Sequence, residues 1–206
     1  LATGQDLQFA LTMGGTPISP AAWYVGSCGD PGTNVWPVTT FRVFGAGPGP
    51  ELLAQEAVKN LRLPSPLIGV NPPAATVQVL YVPTWLWVEA GTWGSRSATA
   101  SAGGLSVTAT AKPTTVEWSA GGGPSRTCNG PGTPWTAGAD PSMPSPTCGI
   151  TYTEVPGGGT STLQATVTWE ISWAGGGTSG TVPALTTTSA VDLQVQRAGA
   201  LNSNGS

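Results

Sequence analysis

Histidine is absent from the 206 residues, and charge is scarce: seven basic and ten acidic side chains make up 8% of the chain, against about 25% in ordinary globular domains. Without imidazole the chain lacks the usual proton shuttle at neutral pH and the commonest metal ligand, which sets aside Ser-His-Asp hydrolysis and histidine-held zinc. Seven scattered cations at a net charge of -3 cannot neutralise a run of phosphates, so nucleic acid is a poor partner, and an anionic membrane surface fails for the same reason. Long apolar runs are also missing. The longest stretch, Val77 to Val88, is broken by Gln78, Pro83 and Thr84, so no membrane span is expected. No Gly-x-x-x-x-Gly-Lys-Ser/Thr occurs and no lysine follows the glycine runs at that spacing, so no nucleotide or other cofactor is expected.

What is present is glycine (30), proline (20), tryptophan (9) and much threonine, with an apolar fraction of 39% that suffices for a core. Cys128 and Cys148 flank a Gly-, Pro-, Ser- and Thr-rich segment, Asn129 to Thr147, that would be floppy unless its ends were tied. A disulfide is the expectation, and closing about 20 residues stabilises a fold by roughly 3 kcal/mol. Two reduced core thiols are the alternative. Cys28 is left over, a candidate for a bond between chains or to a segment outside this sequence. The cysteine pair, and a start at Leu1 without a basic, apolar leader, lead us to expect a secreted or cell-envelope protein in mature form.

Periodicity is clearest at Thr162 to Trp173, where Leu163, Ala165, Val167, Trp169, Ile171 and Trp173 alternate with polar residues, the mark of a strand with one buried face. Leu105 to Lys112 alternates likewise; Val116, Trp118 and Ala120 resume after Pro113; and Ala190 to Arg197 gives a last strand. Turn clusters lie at Gly121 to Pro124, Pro156 to Thr160 and Gly175 to Gly180. Earlier, Gln5 to Leu11, Ala21 to Val25 and Val38 to Phe44 read as strands. Pro50 to Leu61 reads as a helix with a Leu53, Ala57, Leu61 stripe. Leu63 to Pro73 reads as an extended connector, and Val77, Val79 and Tyr81 start a strand leading into Val82 to Glu89. The expected fold is mainly β: a β-rich region with one helix over 1–73, a β-sandwich with leading strands over 74–197, and a polar tail over 198–206.

Val116-Glu117-Trp118-Ser119-Ala120-Gly121-Gly122-Gly123, then Cys148-Gly149-Ile150-Thr151-Tyr152 and the strand Leu163 to Trp173, resembles the PKD-type Ig-like domain. The resemblance implies an Ig-like sandwich in which Trp118 fills the centre and Tyr152 anchors a corner. Ser119, Gly122 and Ile150 stand where that family has Asp, Asp and His, which removes its turn carboxylates here. A wider stretch, from Leu80-Tyr81-Val82-Pro83-Thr84-Trp85-Leu86-Trp87-Val88 through Cys128-Asn129-Gly130-Pro131-Gly132 to Trp173-Ala174-Gly175-Gly176, resembles a group of secreted actinobacterial proteins often labelled ATP/GTP-binding. That resemblance implies a fold and a compartment, not an activity.

Two functional readings stand. Exposed indole faces stack on sugars, so Trp85, Trp87 and Trp93, together with Trp135 in the cysteine loop, are candidate glycan or partner contacts. Large aromatics at period-two spacing usually pack, so Trp85 with Trp87, and Trp169 with Trp173, are expected to line the core, and Trp135 is the one expected to be exposed. Among the carboxylates, Glu117 and Glu170 fall on polar strand faces, where solvated charges explain them better than a glycosidase pair. With no nucleophile and base in view, the first reading is a non-catalytic structural or adhesion module at the cell surface, assembling with itself or with other surface proteins, an extracellular filament subunit being one form. The second is a carbohydrate-binding module. The charge deficit favours the first, because monomers guard sheet edges with Lys and Glu.

Overall fold

The computed structural model describes residues 48–199 and, by backbone alone, 21–27 and 38–44. Strands β1 (Ala21–Ser27) and β2 (Val38–Phe44) pair antiparallel, where strands are expected at Ala21 to Val25 and Val38 to Phe44. The expected strand Gln5 to Leu11, the thiol Cys28 and the tail from Ala200 on lie outside the described residues.

Helix α1 (Pro50–Lys59) starts on a proline whose missing N–H costs nothing there, with Glu51 in its first turn and Lys59 in its last, each favourable to the helix dipole. It buries Leu53, Ala54 and Ala57, and Leu61 continues the stripe just past its end. Nine strands follow it in two sheets: β3 (Ile68–Asn71), β4 (Val77–Val79), β5 (Pro83–Val88), β6 (Arg96–Ala102), β7 (Leu105–Ala120), β8 (Ser125–Asn129), β9 (Gly149–Thr151), β10 (Thr160–Gly175) and β11 (Thr178–Gln196). The large sheet has the order β4-β11-β10-β7-β6, with β8 continuing beside the second half of β7. The small one has the order β3-β5-β9.

Alternation decides which face of the large sheet is buried. From β10, Leu163, Ala165, Val167, Trp169 and Ile171 point inward. On β7 the buried parity changes, from Val107, Ala109 and Ala111 to Val116, Trp118 and Ala120. A bulge at Thr114 makes the change, since Trp169 pairs with Pro113 and Thr168 with Thr115. Proline donates no ladder hydrogen bond, so a bulge is where a long central strand tolerates one. The small sheet faces this surface with Thr84, Leu86 and Val88 of β5 and Ile150 of β9, all buried. The rest of the inner face, at Val107, Ala109, Ala111 and Ala100, is covered by α1, which packs across β7 and β6. The molecule is thus mainly β, a sandwich whose second layer is part sheet and part helix.

Several boundaries differ from the sequence reading. Helix α1 and β3 share one core with the sandwich, so a division at residue 73 cuts through that core. The connector Leu63 to Pro73 contains β3, whose Ile68 and Val70 pair with Val88 and Leu86. Val77 to Glu89 is two strands in different sheets, because Tyr81 takes a left-handed φ of 65° and turns the chain across. The Gly175 to Gly180 turn shrinks to Gly176 and Gly177, whose φ of 61° and 78° suit a two-residue hairpin loop, and the last strand begins at Thr178 instead of Ala190. Strands β6, β8 and β9 had no strong alternation to announce them.

Candidate functional site

The cysteine loop makes the most elaborate surface. Cys128 is the penultimate residue of β8 in the large sheet and Cys148 precedes β9 in the small one, and the disulfide between them ties the layers together with Cα atoms 5.8 Å apart. The loop they enclose folds back over the outer face of the small sheet. Gly130 N donates to Thr114 O, Val88 N donates to Pro131 O at 2.7 Å, and the Thr133 and Thr147 hydroxyls meet at 2.8 Å. Gly132, at φ +89°, lies so close to β5 that a Cβ there would come 2.9 Å from Trp87 Cα. Asp140 accepts from the Ser142 hydroxyl and backbone N–H, which holds its carboxyl below the usual value in a tight turn.

On β5, Trp85 and Trp87 share a face, and it is the outer one, since Thr84, Leu86 and Val88 take the core. The expectation of a core-lining pair is therefore corrected: the loop buries Trp85 from outside. Trp135 meets it edge-on, centroids 5.3 Å apart at 88°, and Trp85 Nε1 donates to Met143 O at 2.8 Å. Trp87 is half-buried, lies over Gly69 of β3 and donates to Glu89 Oε1 at 2.8 Å. Trp93 is half-buried too and packs against the core. The indoles at 85 and 135 are perpendicular, so they do not form a coplanar platform. In the core, Trp118 and Trp169 are fully buried; Trp169 Nε1 donates to Thr187 Oγ1, while Trp118 Nε1 has no partner among the described residues.

Two surface features escaped the sequence reading because they depend on lateral register. Beside the disulfide, Pro83, Pro124, Pro144 and Ile150 wall a cleft of about 270 Å³ with Arg126 at its rim. On the outer face of the large sheet, a trough of about 550 Å³ is lined by Thr108, Thr110, Ser172, Ser179 and Thr181 together with Trp173, Ala174 and Gly180. Cross-strand rows explain it: Ser97, Thr110, Ser172 and Thr181 are successive partners on four strands. The charges on this face are Lys112, Glu117, Glu170 and Asp192. Glu170 faces Lys112, and Glu117 faces Thr166, four positions along β10 from Glu170, a separation of about 13 Å. The two carboxylates do not confront each other across a cleft.

Among the described residues no three His, Cys, Asp or Glu side chains cluster as metal ligands, and no helix is long and apolar enough to cross a membrane. Comparison with protein-family models, with curated proteins and with solved structures finds no match.

Proposed function

We propose that this chain is a non-catalytic structural module of the extracellular or cell-envelope space, which associates with copies of itself or with other surface proteins. The observation that carries the reading is the outer face of the large sheet, a broad neutral field of Ser and Thr with Trp173 and Ala174 in its trough and few charges to hold another surface away. The disulfide supports an oxidising compartment, since such bonds persist there and are rare in the cytosol. Trp118 at the sandwich centre, and Tyr152, whose hydroxyl donates to Ser161 Oγ at 3.2 Å, support the PKD-type resemblance as part of this proposal. Light scattering and electron microscopy of the native protein test it. Particles heavier than one chain are expected, and a monodisperse monomer at high concentration overturns it.

A second reading rests on Trp87 and Trp135, half-buried indoles on the outer side of the small sheet. Specific binding on a glycan array, lost in Trp135→Ala with folding intact, would favour a carbohydrate-binding module.

A further inference from the structure

The free edges of the two sheets are unequally protected. Edge strands invite pairing with another chain unless they are short, charged, bulged or interrupted by proline. Strands β3, β4 and β9 span four, three and three residues. Strand β8 has five and carries Arg126. The long free side of β11 is interrupted at Pro183, where the register slips between Trp169 and Ile171 of β10, and it carries Asp192 further on. Each of these has at least one guard.

Strand β6 has none along Ser97 to Ala102. Its seven residues keep unbroken register with β7, from Arg96 opposite Ala111 to Ala102 opposite Leu105. There is no proline and no bulge. The one charge, Arg96, is turned back on its own chain, with its guanidinium donating to the carbonyls of Gly91, Gly94 and Ser95. Among the described residues, backbone bonds from 97–102 run to β7 alone. Ser97, Thr99 and Ser101 stand on the solvent face, while Ala98, Ala100 and Ala102 turn towards the side covered by α1.

We infer that β6 is the self-association edge, pairing antiparallel with β6 of a second copy about a twofold axis at Thr99, so that two large sheets become one. This rests on the self-assembly reading above and specifies its first interface. The sequence is self-complementary in that register: Ser97 meets the second copy's Ser101, Ala98 its Ala100, and Thr99 its equivalent. Hydroxyl rows then face hydroxyl rows, as they already do inside the chain, where Thr99 and Thr108 hydroxyls lie 2.8 Å apart and those of Ser101 and Ser106 2.7 Å. A chain of net charge -3 meets its copy here without a facing charge along the five residues Ser97 to Ser101, and Arg96 falls opposite the second copy's Ala102, not opposite a like charge. The twofold contact closes on itself, as isologous interfaces do.

The test uses the full chain with Cys28→Ser, so that any new intermolecular disulfide reports the edge. Sedimentation equilibrium of this parent is expected to give a dimer or a multiple of it. Thr99→Lys is expected to weaken the dimer at least tenfold, while Thr186→Lys, on the outer face of β11, leaves it unchanged. Under mild oxidation Thr99→Cys is expected to crosslink two chains. Ser97→Cys alone is not, its copies lying about 13 Å apart, whereas Ser97→Cys with Ser101→Cys is. Circular dichroism confirms that each variant is folded. Self-association that persists in Thr99→Lys, or a crosslinking pattern without this order, overturns the β6 pairing and leaves the assembly reading standing. A parent that is monomeric at every concentration overturns both.

Discussion

The two ends of the large sheet's inner face are made from the same strands and solve the same packing problem differently. Where the small sheet covers it, β7 and β10 present Val116, Trp118, Leu163, Val167 and Trp169, large side chains that fill the gap between two sheets about 10 Å apart. Where α1 covers it, β7 and β6 present Ala109, Ala111 and Ala100, and the helix replies with Ala54 and Ala57 beside Leu53. Small residues let the helix axis settle close to the sheet. The change of partner coincides with the change of parity at Pro113 and Thr114, so one bulge separates an aromatic core from an alanine one.

Truncating the aromatic half has the largest expected effect. Trp118→Ala removes a fully buried indole from between the sheets and is expected to cost about 3–5 kcal/mol, read from the urea midpoint. A loss below about 1 kcal/mol would mean that the sandwich centre lies elsewhere. Replacing Cys128 and Cys148 together by Ser should cost about 2–4 kcal/mol and free the loop over Trp85. Trp fluorescence and proteolysis between residues 130 and 147 check the second part.

The alanine half should answer to enlargement. Ala109→Leu, fully buried under α1, is expected to destabilise by about 1–3 kcal/mol through overpacking. If it is neutral, the helix is not tightly seated and the contrast between the halves fails.

Tyr152 sharpens the aromatic side by pH. Burial pushes its phenol above the ordinary value of 10.0, against the opposing influence of the Ser161 hydroxyl. The folded chain therefore holds this proton where the unfolded chain releases it. Its contribution is fully present below pH 10 and falls as pH rises through the folded pKa. Tyr152→Phe should cost about 0.5–1.5 kcal/mol at neutral pH and flatten the alkaline fall in stability. An alkaline profile identical in the two proteins would sink this. The smallest effect is expected outside both cores: Lys112→Ala, on the exposed face opposite Glu170, should change stability by less than about 0.5 kcal/mol in thermal melts.

Much of the framework was legible in the residues. Period-two alternation located β10 and both halves of β7, because a strand with one buried face must alternate, and the Pro113 break marked the bulge between those halves. Pro50, Glu51 and the Leu53, Ala57, Leu61 stripe located α1. The candidate site was far less legible. Trp85 and Trp87 were rightly placed on one strand face, but which face was decided by the loop that folds over it. Strand β6, all Ser, Ala and Thr after Arg96, has no hydrophobic period to read.

The sequence by itself determined the class of the molecule: a β-rich chain, poor in charge and without histidine, with a tied loop and an amphipathic helix starting at Pro50. These follow from local spacing, composition and turn chemistry, which need no partner strand. Tertiary structure alone decided that α1 completes the second layer, that Trp85 is buried from the outside, that Glu117 and Glu170 stand apart, and that β6 is the unguarded edge. Each of these depends on lateral register and on which surface lies opposite, and a chain read one residue after another does not carry that information until its strands are paired.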